Sequence, residues 1–401
     1  MNAREAAFLA HLTALNSKSY SSDVLNEWKK LNNVSIEDFR LAQHIAFGSI
    51  QMQATLDYLA TKLCTHLPAK KKEKVLLRQA LYQYYFLQKI PLHAIVNETI
   101  KIAKKHCHHT FAHFLNAVLR KVHTLPLSLP EDLSIRYSVP KLFVDLLQQE
   151  YGEEKTEQIL DISNQPPMHM ARLRSSQIPE NCAMLCHEPL QMVVGDNLLS
   201  LAESSAIYIQ NRTPGTLFAT LAKDLPSPSS ILDLCASPGG KLLLAHDFFP
   251  TAQLYANDVS PERMRKLLQN CQKYSLNATI SCSKGEEYAS TQKFDLIILD
   301  VPCSNSGVLN KRPEARWRIT EEALLELDAL QRKLALHALS LLSDKGELWY
   351  MTCSILRQEN ENFIQWLCAN TKAAIRKECK ILPNSQGYDG GYACALTIRS
   401  T

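Results

Sequence analysis

Ile231-Leu-Asp233-Leu-Cys235-Ala236-Ser237-Pro238-Gly239-Gly240-Lys241 is the stretch on which the fold turns. Its apolar start reads as a strand over Ile231–Cys235, its middle as a glycine turn, and its end as the opening of a helix near 241–247. Glycine lets the backbone adopt positive φ and approach a ligand closely. A helix N-terminus favours anionic or electron-rich groups. Asp258 ends the next strand, 18 residues after Gly240, where a carboxylate can accept hydrogen bonds from both hydroxyls of a ribose. The loop is neither Gly-x-Gly-x-x-Gly nor a P-loop ending in Gly-Lys-Ser/Thr, which points away from dinucleotides and nucleoside triphosphates toward another nucleoside-containing cofactor.

Outward from this loop, strands at Gln253–Asp258, Phe294–Asp300 and Gly346–Thr352 alternate with helical stretches near 261–274 and 321–342. Such alternation predicts a doubly wound α/β fold with a parallel sheet. In such sheets ligands bind at the carboxyl ends of the strands. Two cysteines close strands there: Cys303 after Asp300-Val-Pro, and Cys353 after Met351-Thr. A small residue buried at a strand end would account for one cysteine. Two of them beside a cofactor loop predict covalent chemistry by a thiolate.

The whole chain has 401 residues, enough for two or three domains, with an ordinary composition of 46% hydrophobic and 21% charged residues. No apolar run reaches the roughly 18 residues of a membrane helix, and Met1-Asn-Ala-Arg-Glu lacks a signal-peptide layout, so a cytoplasmic location is expected. The 12 cysteines are scattered, without a disulfide framework. Cys182 and Cys186-His187 have a metal-like spacing but no second pair, and no metal site is expected. His106-Cys-His-His109 reads as a polar helix end.

Residues 1–125 read as all-helical, with apolar residues at helical spacing in Val75–Leu87 and Phe111–Leu119. The proline-bearing Thr124–Pro130 marks the boundary. A connecting α+β subdomain is expected over 126–200, with one helix over Pro140–Ile162, and the α/β domain over 201–401. The net charge of +4 conceals an asymmetry: Lys62–His123 holds 12 Lys+Arg against 2 Asp+Glu. A basic module on a slightly acidic body suits a polyanion, although a solvated helix face gives the same count. Lys311-Arg-Pro-Glu-Ala-Arg316-Trp317-Arg318 follows the Cys303 loop, and its cations and tryptophan are expected to meet RNA phosphates and bases. The alternative is a surface loop anchored by a buried tryptophan.

Asp233–Lys241, Asp300-Val-Pro-Cys303-Ser-Asn-Ser-Gly307, and Thr352-Cys353-Ser354 with Glu359-Asn360-Glu361 together resemble the signatures of Sun/Fmu-type RNA cytosine methyltransferases. Leu81-Tyr-Gln83, Pro91–Ala94, Val96–Glu98 and Asn116–Arg120 resemble the NusB-like RNA-binding domain of the bacterial ribosomal RNA members. The resemblance implies an all-α NusB-like domain followed by a Rossmann-type methyltransferase domain. The implied activity uses S-adenosylmethionine to make 5-methylcytosine in ribosomal RNA, the small subunit's above all, with nothing that requires more than a monomer.

By that resemblance Cys353 attacks carbon 6 of cytosine, Cys303 assists release, Asp300 contacts the cytosine edge, and Lys241 favours the thiolate. Cofactor contacts implied are Cys235, Ala236, Ser237, Pro238, Gly239, Gly240, Lys241, Asp258 on the ribose, Asp300, and Glu286 near the adenine. In DNA cytosine methyltransferases the Pro-Cys thiol attacks, which would make Cys303 the nucleophile. The chain departs from the family pattern at Glu286 and Asn211, where Asp is usual, and at Asp389-Gly-Gly-Tyr392, where Asp-Gly-Phe-Phe is usual. These departures motivate a second reading, a catalytically silent NusB-like RNA-binding protein. A methyltransferase acting on a small molecule is a third, in which the basic helical domain would lack a purpose.

Overall fold

The protein is described by a computed structural model covering residues 1–16, 19–195, 198 and 201–399. The chain forms two compact units. One comprises Met1–Asp145 together with Arg312–Arg318, the other Leu146–Lys311 together with Ile319 onward. Among the described residues no helix is long and apolar enough to cross a membrane.

The first unit is helical, as the apolar spacing predicts: α1 (Ala3–Asn16), α2 (Ser21–Leu31), α3 (Ile36–Gln51), α4 (Gln53–Leu63), α5 (Lys71–Phe86), α6 (Leu92–His106), α7 (His109–Lys121) and the short α8 (Leu133–Arg136). In α7 the buried positions Phe111, Ala112, Leu115, Val118 and Leu119 recur every three or four residues, so one face enters the core beside Leu76, Leu77 and Ala80 of α5.

Arg312–Arg318 is built into this unit, and two of the side chains expected to meet RNA, Arg316 and Trp317, are engaged within it. The last carbonyls of a helix have no intrahelical donor. Those of α3 take theirs from this segment: Trp317 Nε1 donates to Ile50 O (2.7 Å) and Arg316 Nη1 to Gln51 O (3.3 Å). Arg316 also donates to Tyr137 O and Ser138 O, and it is 0% exposed. Glu314 accepts from the Ser21 amide (2.8 Å), Arg318 donates to Ser19 O, and Arg312 lies over the Tyr20 ring. Helix-end carbonyls and buried partners, not phosphates, have claimed Arg316 and Trp317. Trp317 is half-buried and anchors the segment through Ile50, which is closer to the surface-loop alternative, and Lys311, in the second unit, pairs with Asp389 at 2.6 Å.

In the second unit the helix expected over 140–162 is two helices. α9 (Lys141–Tyr151), within which the division between units falls, is separated from α10 (Glu153–Asn164) by Gly152 at φ +77°. A small antiparallel sheet follows, in the order β2 (Ala183–Cys186), β3 (Met192–Val194), β1 (Met170–Leu173), β4 (Ile207–Ile209). Its last strand lies past the expected boundary between residues 200 and 201, of which residue 200 is outside the described residues.

The main sheet comprises β5 (Ser230–Asp233), β6 (Gln253–Asn257), β7 (Ala278–Ser281), β8 (Phe294–Asp300), β9 (Leu342–Thr352), β10 (Ala373–Ile381) and β11 (Gly391–Ile398). Its order is β10-β11-β9-β8-β5-β6-β7. The strands from β9 to β7 are parallel, as expected, whereas β11 runs antiparallel to both neighbours. A parallel core is covered on both faces. Here α11 (Arg212–Ala222), α12 (Gly240–Phe248) and α13 (Pro261–Lys273) bury Phe218, Leu243 and Leu267 on one face. α14 (Glu321–Ser340) and α15 (Glu361–Asn370) bury Leu334, Ala338 and Phe363 on the other. With helices on both faces, the adjacent carboxyl ends of β5, β8 and β9 are left to form a rim.

Candidate active site

β8 and β9 run side by side, with Asp300 opposite Met351, so the residues just past their ends meet. Cys303 and Cys353 do so, with Sγ–Sγ at 3.1 Å. Asn305, at φ +58°, spans the pair: its Nδ2 donates to Cys303 O (2.9 Å) and its Oδ1 accepts from the Cys353 thiol (3.3 Å). The hydrogen bond to Cys353, followed by burial, holds the Cys303 thiol well above its usual range, and the charges of Cys353 and Glu359 add to this.

Lys241, in the first turn of α12, makes an ion pair with Asp300 (2.5 Å). Burial works against the ammonium, but Asp300 outweighs it and Cys353 adds to the effect, so Lys241 is held charged beside that thiol. The sequence-predicted residues Cys353, Cys303, Asp300 and Lys241 are thus brought to one place.

The loop Cys235–Lys241 crosses the carboxyl end of β5. Gly239 sits at φ +107°, where a Cβ would fall 2.9 Å from Leu267 Cδ1, so only glycine suits the turn. Asp258, just past β6, is 3% exposed and accepts from Ser237 N (3.2 Å) and Ser260 N (3.0 Å), with Arg263 at 3.3 Å. It therefore fastens the loop and retains about one lone-pair site for a ligand, since a carboxylate has roughly four. Glu286 stands half-buried in the 3-10 turn after β7. Cys235 is raised far from its usual value by burial, then by Asp233, which makes it a packing residue and not a nucleophile.

The structure adds residues that sequence reasoning gave no role. Asp233 is 0% exposed, and among the described residues neither carboxylate oxygen meets a hydrogen-bond donor in good geometry, although the Cys235 amide lies near enough to act on the carboxyl. Burial, then the charge of Asp300, push its carboxyl up to about 8. Glu359 and Asn360, quoted above only within a motif, lie buried beneath the thiols. The signal that could have found them was the polar run Arg357-Gln-Glu-Asn360 between the apolar Ile355-Leu356 and the apolar face of the next helix. Asn211 caps α11 through Thr213 N (2.9 Å), while its Nδ2 donates to Gly387 O (2.8 Å). A carboxylate has no proton to donate there, so this departure from the family pattern serves the loop that carries Asp389.

A family model described as 16S rRNA methyltransferase RsmB/F matches residues 221–396, and one for the NusB family matches residues 1–124. The ribosomal RNA small subunit methyltransferase B of Shewanella oneidensis is 30% identical, covering 93% of this chain and 91% of that protein. Its counterpart in Photorhabdus laumondii is 28% identical, covering 92% and 93%. Among solved structures, the protein PH0851 shares the fold, with a TM-score of 0.81 at 18% identity over 99% of each chain.

Proposed function

The chain belongs to the family of small-subunit ribosomal RNA methyltransferase B proteins, and from that premise we propose that it transfers a methyl group from S-adenosylmethionine to carbon 5 of a cytosine in that RNA. The observation that carries this reading is the pair of thiols 3.1 Å apart beside a Lys241–Asp300 ion pair. Two adjoining thiols suit a reaction in which one sulfur must add to a ring and later leave it. A catalytically silent RNA-binding protein has no use for them.

The residues present fit the cofactor. Bound, it supplies an electrophilic methyl group. The orphaned oxygens of Asp233 suit its ammonium, the glycine loop admits its backbone-hugging portion, Asp258 offers an acceptor to the ribose, and Glu286 offers one to the adenine amine.

On the protein side, the Cys353 thiolate, favoured by Lys241, forms a bond to carbon 6, and the electron pair released makes carbon 5 nucleophilic. The Asp300–Lys241 pair passes one proton to N3 of the ring as charge develops there, and takes it back when aromaticity returns. After carbon 5 is methylated its proton must leave and the C6–S bond must break. Cys303 can serve both needs: its sulfur takes the carbon 5 proton while its own proton goes to the departing Cys353 sulfur. Cys353 then releases a proton to solvent, restoring the thiolate. The target base must leave its stack to reach the rim, which favours single-stranded or flipped cytosines. The basic NusB-like unit grips RNA elsewhere on the chain.

Covalent trapping tests this. Wild type, Cys303→Ala and Cys353→Ala are mixed with S-adenosylmethionine and small-subunit ribosomal RNA and resolved on denaturing gels. A shifted protein–RNA band is expected with Cys303→Ala and none with Cys353→Ala, which also loses methyl transfer. A band only with Cys353→Ala would reverse the two roles, and ordinary turnover by Cys353→Ala would sink the mechanism.

A further inference from the structure

Behind the two thiols lies a network of buried polar residues. Ser304, which follows Cys303, donates to Glu359 twice, through its amide to Oε1 (2.9 Å) and its hydroxyl to Oε2 (2.5 Å). Gln331 Nε2, reaching from α14, donates to the same Oε1 (3.2 Å). Ser354, which follows Cys353, shares hydrogen bonds with Ser304 Oγ (3.3 Å) and Ser306 Oγ (2.9 Å). Asn360 grips the other strand end: its Oδ1 accepts from Thr352 Oγ1 (2.7 Å) and its Nδ2 donates to Ser354 O (3.0 Å). Glu359 is 1% exposed and Asn360, Ser306 and Ser354 are 0% exposed, so the network is dry. In such a setting hydrogen bonds and charges act strongly.

Glu359 accepts three hydrogen bonds and donates none among the described residues, the pattern of an ionised carboxylate. Two bonds to the residue next to Cys303 place its charge beside that thiol, where it adds to the larger effects of the Cys353 hydrogen bond and burial, and among the described residues no cation joins this network. Cys353 instead has Lys241 nearby.

We infer that Glu359 and Asn360 are positioning residues that clamp the segments carrying the two cysteines, and that the Glu359 carboxylate keeps Cys303 as the protonated thiol of the pair, leaving attack to Cys353. The inference rests on the two-thiol reading above and supplies its asymmetry. The relay requires Cys303 to carry a proton before it can hand one to the departing sulfur. The raised position of Cys303 agrees with this. Besides Glu359, the titratable groups around Cys303 are Cys353 beyond β9, Tyr350 on β9, Asp300 at the end of β8, and Lys241 of α12 on the side of Cys353.

The test uses the full chain without RNA or cofactor. Wild type, Glu359→Gln and Glu359→Asp are treated with iodoacetamide from pH 6 to 10, and modification of each cysteine is followed by peptide mass spectrometry. In wild type Cys353 is expected to react at lower pH than Cys303. In Glu359→Gln the Cys303 profile moves to lower pH and its rate near pH 8 rises about threefold to tenfold, the response to a larger thiolate fraction offset by weaker nucleophilicity. Glu359→Asp, which keeps the charge on a shorter arm, retains the wild-type order. An unchanged Cys303 profile in folded Glu359→Gln overturns the inference. So does a Glu359→Asp chain in which Cys303 reacts first, a result that does not depend on whether Glu359→Gln folds. Because no RNA is present, a failed trapping experiment beside an intact shift in Cys303 would refute the methyl-transfer reading alone.

Discussion

Burial and the neighbouring Asp300 raise the Asp233 carboxyl from an ordinary 3.8 to about 8. Between about pH 4 and 8 the folded chain then holds a proton that the unfolded chain has released. More protons bound in the folded state means that stability falls as pH rises through this window. Asp233→Asn keeps the shape and removes the titration. Its melting temperature relative to wild type is expected to climb between pH 5 and pH 8, with at most about 4 kcal/mol at stake over those three units. Parallel melting curves for the two proteins at both pH values would contradict this. At this scale the cysteines were legible because each closes an apolar run, and a thiol at a strand end is conspicuous. Asp233 and Glu359 were not, because their significance lies in which distant groups surround them: Asp300 is 67 positions from the first, Ser304 55 from the second. Arg316 was misjudged for the same reason, since nothing in its own segment announces the α3 carbonyls it satisfies.

Strand ends are effective only if the loops beyond them are held. The loop after β8 docks on the loop before β11 through two glycines: Gly390 N donates to Gly307 O (2.7 Å), and a Cβ on Gly390 would fall 2.4 Å from Ile355 Cγ2 and 2.7 Å from Gly307 Cα. Gly390→Ala is therefore expected to destabilise the chain by about 1–3 kcal/mol. It should also slow methyl transfer, because Gly307 N is bonded to Cys353 O (2.9 Å). Thermal melting and single-turnover methylation check the two parts. The strands that were legible, β5, β6, β8 and the Gly346–Thr352 part of β9, are built on apolar runs, as buried parallel strands must be. β10 escaped notice because it carries Arg376, Lys377, Glu378 and Lys380 on a sheet edge, where charge is tolerated and apolar alternation is lost. β7, four residues with two hydroxyls, carries too little signal of either kind.

Across the molecule, charge is divided by use. Exposed Lys89, Lys104, Arg120 and Lys121 lie in the basic segment of the helical unit, whereas Arg316 is consumed by its interior. Lys121→Ala is expected to reduce the slope of log affinity for RNA against log salt by about 1. Arg316→Met should leave that slope unchanged and lower the melting temperature by stranding three carbonyls. Filter binding over a salt series, with melts in parallel, separates the two; a slope change in Arg316→Met would return that residue to the RNA. The asymmetry of charge and the two fold classes were plain in the sequence because both are sums over many residues. The membership of Arg312–Arg318 in the helical unit was not, because it is a property of seven residues placed among others.

That membership sets an order in time. A chain leaves the ribosome N-terminus first, and domains generally close as they emerge. The helical unit can complete itself only late, for the partners of its Ser21 amide and of its Ile50 and Gln51 carbonyls are synthesised some 260 to 290 positions later. Until Arg318 has been added, those groups have water in place of their final partners. The finishing of the helical unit therefore comes after the synthesis of β5 to β8 and before that of β9 to β11.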